Sequence, residues 1–228
     1  MSSQPQKNQI GELVQKGHAK MGLGHYEEAL PLFLEAADLY AQDSNPKNQA
    51  LQLQAVSEIY RLTGRLDQAI DTYKTLVALF EQLKDNTALI HIWNNMGLLQ
   101  TMLARFQDAL NCFQEALKLS ELIGNKQYMA QQLGNMGSAC RDLKDYATAL
   151  QNYEKALPLY VELGHIEGTA DQYTNIAYIH VMENRREEAL ISYQKALPLY
   201  QGLKNEEKAQ YTDQNIKKLK ELLGMTRQ

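Results

Sequence analysis

Several features that would indicate a metal site or a nucleic-acid surface are scarce in this sequence of 228 residues. Cysteine occurs only twice, which is too few for a disulfide framework or a metal quartet. The 23 Lys and Arg residues are outnumbered by 27 Asp and Glu residues, and the formal net charge is -4. A surface that neutralises phosphates needs clustered basic residues. Nucleic acid is therefore excluded as a predicted partner.

Long apolar runs are also missing. No stretch approaches the roughly 20 residues that a membrane-spanning helix needs. The polar segment 1–9 lacks the apolar centre of a signal peptide. The sequence thus predicts a cytoplasmic protein with no membrane partner. Cys112 and Cys140 fall in helical patterns, and we expect both to be small buried side chains in a reducing compartment.

Groupings of residues that would support catalysis are absent from the sequence pattern. The five histidines match no His-Glu-x-x-His zinc helix and no pairing with clustered carboxylates. The stretch Gly22-Leu23-Gly24 is not a phosphate loop, because neither a third glycine nor a Gly-Lys-Ser/Thr triplet follows it. A catalytic nucleophile, acid or base needs partners that tune it. We therefore predict that the protein is not an enzyme and has no cofactor and no metal site.

What the sequence has in abundance is internal repetition. An alanine followed by Leu or Ile recurs five times at a constant interval, with an aromatic residue four positions later and a small residue twelve positions earlier. The alanines are Ala29, Ala69, Ala109, Ala149 and Ala189, and the small residues are Gly17, Ser57, Gly97, Gly137 and Ala177. Such regular self-similarity indicates a solenoid of stacked units.

Each repeat predicts two antiparallel helices, helix A followed by helix B. In the third repeat, helix A is predicted from about Asn86 to Met102 and helix B from about Phe106 to Leu122. Pro158 and Pro198 lie inside helix B of the last two repeats, where each removes a backbone hydrogen bond and predicts a kink. The turns between the helices carry residues at positions that often need a left-handed backbone. These turn residues are Gly24, Gly64, Ala104, Lys144 and Asn184.

The third repeat carries the residues through which the chain resembles the tetratricopeptide repeat family, whose pattern is W-x2-L-G-x2-Y followed by A, F and A. The matching residues are Trp93, Met96, Gly97, Ala109, Phe113 and Ala116. The resemblance covers about residues 10–205. The interval between successive alanines makes each repeat about 40 residues long, which is longer than the unit usual in the family. This longer unit is similar to the repeats of kinesin light chains, Pins-type polarity adaptors and bacterial Rap-type regulators.

The resemblance implies an all-α fold, a right-handed α-solenoid of five helical hairpins with a C-terminal capping helix. We predict one solenoid domain with a flexible N-terminus over 1–9, repeats over 10–205 and the capping helix over 206–224. The repeats are predicted at about 10–49, 50–89, 90–129, 130–169 and 170–205. One face of the capping helix is predicted to pack on the last repeat. That face contains Tyr211, Asn215, Ile216, Leu219, Leu222 and Leu223.

In the resembling families, helix A lines a concave groove, and an asparagine two residues before the small residue holds the backbone of a bound peptide. Asn95, Asn135 and Asn175 occupy this position in three consecutive repeats. An asparagine amide offers both a donor and an acceptor, so it can pair with both polar groups of one peptide residue. The alternative that each amide caps or bridges neighbouring helices stays open. The flanking positions predicted to contact a partner are Arg61, His91, Leu98, Gln131, Ser138, Arg141, Asp171 and Tyr178.

The favoured functional hypothesis is an adaptor or scaffold that binds an extended or helical peptide segment of another protein in this groove. A second hypothesis is a homo-oligomeric scaffold that assembles through the groove or the first repeat, where Lys16 and Lys20 replace larger apolar residues. A third is a peptide-sensing regulatory module, which would need an effector domain in addition to the repeats. The first repeats have Val14 and His18 where a clamp for C-terminal carboxylates would need converging Lys or Arg, so an adaptor for chaperone tails is not predicted.

Overall fold

The structure of the protein, a computed structural model, describes residues 4–225, with side chains described from residue 8 onward. These residues form eleven α-helices and no strand, so the predicted all-α class is confirmed. The chain divides into two compact units between Leu103 and Ala104; unit 1 precedes this boundary and unit 2 follows it. The prediction that the repeats form one solenoid domain stays a prediction.

The helices alternate as predicted between the helix A and helix B positions of successive repeats. Unit 1 contains α1 (Gln4–Gly22), α2 (Tyr26–Gln42), α3 (Pro46–Leu62), α4 (Leu66–Leu83) and α5 (Asn86–Met102). Unit 2 contains α6 (Phe106–Leu122), α7 (Lys126–Asp142), α8 (Tyr146–Glu162), α9 (Ile166–Met182), α10 (Arg186–Gly202) and α11 (Glu206–Leu222). The bounds predicted for the two helices of the third repeat agree with α5 and α6. Within each unit, consecutive helices pack against each other.

The first helix begins earlier than the sequence pattern predicts. Helix α1 starts at Gln4, so residues 4–9, which belong to the predicted flexible N-terminus, are helical; the flexibility of this end stays a prediction. Residues 1–3 of the predicted terminus lie outside the described residues. The physical reason is that Pro5 falls in the first turn of the helix. Proline costs little there, because the first N–H groups of a helix have no partner within the helix.

The turns from helix A to helix B adopt the predicted left-handed conformation once in every repeat. Their φ angles are 76° at Gly24, 74° at Gly64, 55° at Ala104, 63° at Lys144 and 59° at Asn184. The reversal lets the backbone N–H groups after each helix bond its last free carbonyls. In unit 2, for example, Asp145 N donates to Cys140 O at 2.9 Å.

The start of each helix A after α1 is capped by a side chain. Each cap residue accepts a hydrogen bond from the backbone N–H group three residues later, and the five caps are Asn45, Asp85, Asn125, His165 and Asn205. Such a cap satisfies one of the N–H groups that the first turn leaves without a partner. The caps therefore fix the first residue of helix A at the same place in every repeat, and the residues that follow keep a constant register.

Close helix approach inside a hairpin depends on the small residue of helix A. In unit 2, a methyl group at Gly137 of α7 would lie 2.6 Å from Cε1 of the fully buried Tyr153 of α8. In unit 1, a methyl group at Gly17 of α1 would lie 3.0 Å from the ring of the fully buried Phe33 of α2. The aromatic ring of helix B thus occupies the space that the missing side chain leaves, which explains the twelve-residue and four-residue spacings around each alanine.

The capping helix packs through only part of the predicted face, because Ile216, Leu219 and Leu223 pack inward but Tyr211 and Leu222 do not. Helix α11 buries Thr212, Ile216 and Leu219, and Leu223 packs beside them. Tyr211 and Leu222, which were predicted on this face, are 51% and 54% exposed, so their placement is wrong. The prediction placed large apolar residues on the buried face and therefore missed the polar Thr212. The buried Thr212 instead satisfies its hydroxyl by donating to Lys208 O at 2.7 Å.

The prolines of helix B leave the helices continuous. Helix α8 runs through Pro158 and helix α10 runs through Pro198 without interruption. Whether either position bends the helix or acts as a hinge stays a prediction.

Candidate partner-binding surface

Helices α3 and α5 carry the predicted binding residues of unit 1. Arg61, His91, Asn95 and Leu98 are all exposed. A pocket of about 330 Å³ brings three of them together, Arg61 from α3 with Asn95 and Leu98 from α5. Its remaining lining consists of Glu58, Tyr73, Leu99 and Met102. His91 lies outside this pocket.

The guanidinium of Arg61 is already paired inside this pocket. Its Nε donates to Glu58 Oε2 at 2.7 Å and its Nη2 donates to Glu58 Oε1 at 2.6 Å. The two residues lie one turn apart on α3, and the hydrogen bonds to Glu58 raise the pKa of Arg61 above its usual value. A two-pronged pair of this kind occupies one edge of the guanidinium.

Asn95 has hydrogen-bonding capacity left over at the mouth of the same pocket. Its Oδ1 accepts a long bond of 3.4 Å from Nδ2 of the neighbouring Asn94. Within residues 4–225, its own Nδ2 group makes no hydrogen bond. An exposed amide with unused donors can pair with a backbone carbonyl of a bound segment.

Helix α7 carries the predicted residues Gln131, Asn135, Ser138 and Arg141 of unit 2. Gln131 is exposed, and the other three are half-buried. Ser138 Oγ donates to Gly134 O and accepts from the Tyr153 hydroxyl, each at 3.2 Å. The donor and one acceptor position of this hydroxyl are therefore used within the hairpin, and Ser138 has no free donor.

Arg141 of α7 and Tyr178 of α9 contact each other. The guanidinium carbon of Arg141 lies 5.8 Å from the centre of the Tyr178 ring, within the range of a cation–π contact. Arg141 Nε also donates to Asp142 Oδ1 at 2.9 Å. Burial alone would lower the pKa of Arg141, but the hydrogen bond to Asp142 and the nearby Tyr153 hydroxyl raise it.

A second pocket, of about 360 Å³, lies between α9, α10 and α11 of unit 2. It contains two of the predicted residues, Asp171 and Asn175. Asp171 Oδ1 accepts from the Tyr200 hydroxyl at 2.7 Å and from Lys208 Nζ at 2.8 Å. The rest of the lining is Thr174, Tyr200, Lys208, Tyr211 and Thr212.

The polar groups of this second pocket satisfy each other. Burial raises the pKa of Tyr200, so its hydroxyl stays protonated and donates to Asp171. Burial would lower the pKa of Lys208, but its bonds to Asp171 and to Glu167 raise it. Lys208 Nζ lies 3.1 Å from Glu167 Oε1, and the side chain crosses the Tyr200 ring at 5.5 Å. The pocket therefore has a fixed polar wall beside the half-buried amide of Asn175.

Sequence reasoning missed several residues that line the two pockets. Tyr73 and Met102 line the first, and Tyr200, Lys208 and Tyr211 line the second. One available signal was the repeat itself, because continuing its register beyond the fifth repeat places Tyr211 in line with Asp171. The capping helix would then have been treated as a further helix A with its own groove side.

The two cysteines are not activated as nucleophiles, and the described residues contain no metal-binding cluster. Cys112 and Cys140 are buried and unpaired, as predicted. Burial raises the pKa of the Cys112 thiol to about 11 and also raises that of Cys140, so both thiols stay protonated near neutral pH. Over the described part of the chain, no three His, Cys, Asp or Glu side chains converge as a metal site would require. None of the helices between residues 4 and 225 is long and apolar enough to cross a membrane.

The sequence matches the family model of the tetratricopeptide repeat in three overlapping or successive stretches. These stretches are residues 13–82, 49–121 and 128–202. Because they cover most of the chain, the protein belongs to the tetratricopeptide repeat family. Proteins of this family in general mediate protein–protein interactions. No curated protein sequence matches the chain significantly.

Solved structures resemble the chain at low sequence identity. RapI in its apo form has a TM-score of 0.83 and 15% identity over 95% of this chain, which spans only 64% of the RapI chain. Repeats of a putative kinesin light chain from Podosopora anserina have a TM-score of 0.69 and 11% identity over 90% of this chain and 100% of theirs. MamA has a TM-score of 0.63 and 19% identity over 86% of this chain and 93% of its own. These similarities confirm the predicted solenoid class and the predicted resemblance to kinesin light chains and Rap-type proteins.

Proposed function

We propose that the protein is an adaptor or scaffold that binds a peptide segment of a partner protein on the groove side of its helices A. The predicted asparagines Asn95, Asn135 and Asn175 hold the backbone of that segment, and neighbouring side chains select its sequence. An adaptor of this kind acts by binding alone, so no catalytic step is part of the proposal.

One observation carries this proposal. The asparagine register, not the rest of the lining, is what the pocket of unit 1 and the pocket of unit 2 have in common. In unit 1 the pocket contains Asn95, and in unit 2 the pocket contains Asn175, two repeats further along the chain. A repeated amide beside a repeated depression suits a peptide whose backbone bonds the amide while a side chain enters the depression.

The test uses a random 12-residue peptide library displayed on phage and selected on the purified chain. The affinity of a selected peptide is then measured by calorimetry for the chain and for the triple variant Asn95→Ala, Asn135→Ala, Asn175→Ala. At roughly 1 kcal/mol for each lost hydrogen bond, we expect about a hundredfold weaker binding. Circular dichroism should show unchanged helix content.

A matched control removes three exposed amides from helices B instead. The variant Asn111→Ala, Gln114→Ala, Gln151→Ala changes exposed residues of α6 and α8. We expect its affinity for the same peptide to stay within about twofold of the unchanged chain, as for surface changes away from a binding site. Equal affinities of the asparagine variant and the unchanged chain would remove the asparagines from the mechanism.

A further inference from the structure

Two arginines occupy the same register in the two units, but their surroundings differ. Arg61 on α3 and Arg141 on α7 stand two repeats apart in the sequence. Three positions earlier stands Glu58 in the first case and Ser138 in the second. The one-turn spacing on a helix brings such a residue beside the arginine. The residue at this position therefore decides whether the arginine has a carboxylate partner one turn earlier on its own helix.

Arg61 has such a partner. Its Nε and Nη2 both bond the Glu58 carboxylate, at 2.7 and 2.6 Å. A carboxylate from another protein would have to displace Glu58 or share the guanidinium with it. The pocket around Arg61 therefore presents a neutral ion pair, not an open cation.

Arg141 has no carboxylate one turn earlier, and its ion pair is instead with the next residue of α7, Asp142. Asp142 accepts a hydrogen bond only from the Nε of Arg141, and the Tyr178 ring contacts the guanidinium. In the part of the chain that the structure describes, its two terminal nitrogens make no hydrogen bond. The side chain is 30% exposed, so these nitrogens can be reached while the stem stays packed. A cation fixed in advance loses little further entropy when a ligand binds.

We propose that the terminal nitrogens of Arg141 bind the carboxylate of an acidic side chain in the partner segment, and that the residue three positions before the arginine decides this specificity. The proposal rests on the function proposed above and names one feature of the partner. Planar guanidinium and carboxylate groups match each other through paired hydrogen bonds. In unit 1, Glu58 takes the place that the partner's carboxylate takes at Arg141.

Helix α9, which places Tyr178 against Arg141, also presents exposed apolar side chains that suit an apolar residue next to the acidic one. Tyr178 is 37% exposed, and Val181 and Met182 on the same helix are 40% and 46% exposed. Ser138 carries no charge that would compete for Arg141, and its one donor is bonded to Gly134 O. The occupant is therefore a peptide with Asp or Glu beside an apolar side chain.

The experiment uses the same phage-displayed library, in which every peptide is fused at its C-terminus and offers only side-chain carboxylates. Selection is run in parallel on the unchanged chain, on Ser138→Glu and on Ser138→Gln. We expect Asp and Glu to be enriched at one position by the unchanged chain and by Ser138→Gln, and not by Ser138→Glu. The Gln variant has the size of Glu without its charge, so it controls for crowding and for the lost bond to Tyr153.

Affinity measurements with one selected peptide complete the test. Ser138→Glu should weaken binding roughly tenfold or more, which is the loss of a hydrogen bond to a charged group, and should not weaken binding of the peptide with Asn in place of Asp. The reciprocal change Glu58→Ser frees Arg61 and should add a preference for acidic peptides. The Arg61–Glu58 pair already exists in this fold, so Ser138→Glu should fold.

The outcomes separate the two proposals. A selected pool without acidic enrichment, or equal behaviour of Ser138→Glu and Ser138→Gln, overturns the assignment of Arg141 and leaves the proposed function standing. A library from which the unchanged chain selects nothing overturns the proposed function together with this inference.

Discussion

Units 1 and 2 use the same backbone register with different side-chain chemistry. In unit 1, Phe33 contacts His18 edge-to-face, with ring centres 5.0 Å apart. In unit 2, the matching residue is Tyr153, whose hydroxyl bonds Ser138, and Ser138 stands three repeats after His18. An aromatic residue of helix B and the helix A residue that it contacts thus differ together between the two units. The repeat thus determines which positions of helix A and helix B meet, and the side chains at those positions determine whether the contact is aromatic or a hydrogen bond.

The same contrast extends to polar residues buried near the start of helix A. Gln52 in unit 1 and Gln132 in unit 2 share a register and are 6% and 0% exposed. Gln52 Nε2 donates to Asn48 O at 3.4 Å, whereas within the described residues neither polar atom of the Gln132 side chain has a hydrogen-bond partner. The buried amide of Gln132 in unit 2 is therefore costly, whereas the matching amide of Gln52 in unit 1 is partly satisfied.

The largest effect is expected from the space beside the glycine of helix A, which is smaller in the α7–α8 hairpin than in the α1–α2 hairpin. Gly137→Ala should destabilise unit 2 by about 2 kcal/mol, because the new methyl group would lie 2.6 Å from the buried Tyr153 ring. Gly17→Ala places its methyl group 3.0 Å from Phe33 and should cost less than about 1 kcal/mol, since alanine also favours the helix. Urea unfolding followed by circular dichroism measures both. Equal losses for the two variants would contradict the difference in packing.

The next effect concerns the pocket that includes the capping helix. Tyr200→Phe removes the hydroxyl that Asp171 accepts at 2.7 Å, and we expect a loss of about 1.5 kcal/mol for a bond to a charged group. In unit 1 the residue at this register is already the buried Phe80, so the ring itself is compatible with the fold. Amide exchange of α11 would report the change. An unaltered exchange rate and stability would show that the hydroxyl contributes nothing to holding the pocket.

A smaller effect of opposite sign is expected for the buried glutamines. Gln132→Met keeps the approximate shape and removes two unpartnered polar atoms, so it should stabilise the chain by about 1 kcal/mol. Gln52→Met also removes the bond to Asn48 and should gain less. The free energies of unfolding of both variants test the comparison. A loss of stability in Gln132→Met would mean that this amide has a partner in solution.

The smallest effect depends on pH. Burial, and then the positive charge of Arg185, lower the pKa of His180 below its ordinary value of 6.5. The unfolded chain therefore takes up a proton at a higher pH than the folded one, and the contribution of His180 to stability is lost as the pH falls below about 6.5. The residue at the same register in unit 1 is Gln100. The variant His180→Gln should therefore keep the fold and lose less stability than the unchanged chain as the pH falls. The free energies of unfolding of the unchanged chain and of His180→Gln are compared between about pH 5 and 8. Parallel pH dependences would rule out a contribution of His180.

Much of the fold could be predicted because the repeat supplies five independent copies of each signal. The bounds of α5 and α6 and the left-handed turns at Gly24 and Asn184 follow from spacing, caps and the need for positive φ. The start of α1 has no preceding repeat with which it can be compared, so its early start escaped prediction. The burial of Thr212 instead of Tyr211 escaped prediction because polar residues are mostly exposed, although its register matches the buried Gln52 and Gln132.

The candidate site was predictable only as a set of positions on helices A. The contact of Arg141 with Tyr178 and the bond of Tyr200 to Asp171 each join residues of two different helices, and spacing within one helix does not reveal them. The Arg61–Glu58 pair, one turn apart, was within reach of sequence reasoning. The roles of the predicted binding residues stay predictions.

The central claim is that a partner segment binds to the helices A. The most direct measurement attaches a benzophenone group to a library-selected peptide, irradiates the complex and maps the crosslinked residues by mass spectrometry. The account predicts crosslinks on α3, α5, α7 and α9, close to Leu98 and Tyr178. Crosslinks confined to α2, α4, α6, α8 and α10 would contradict it.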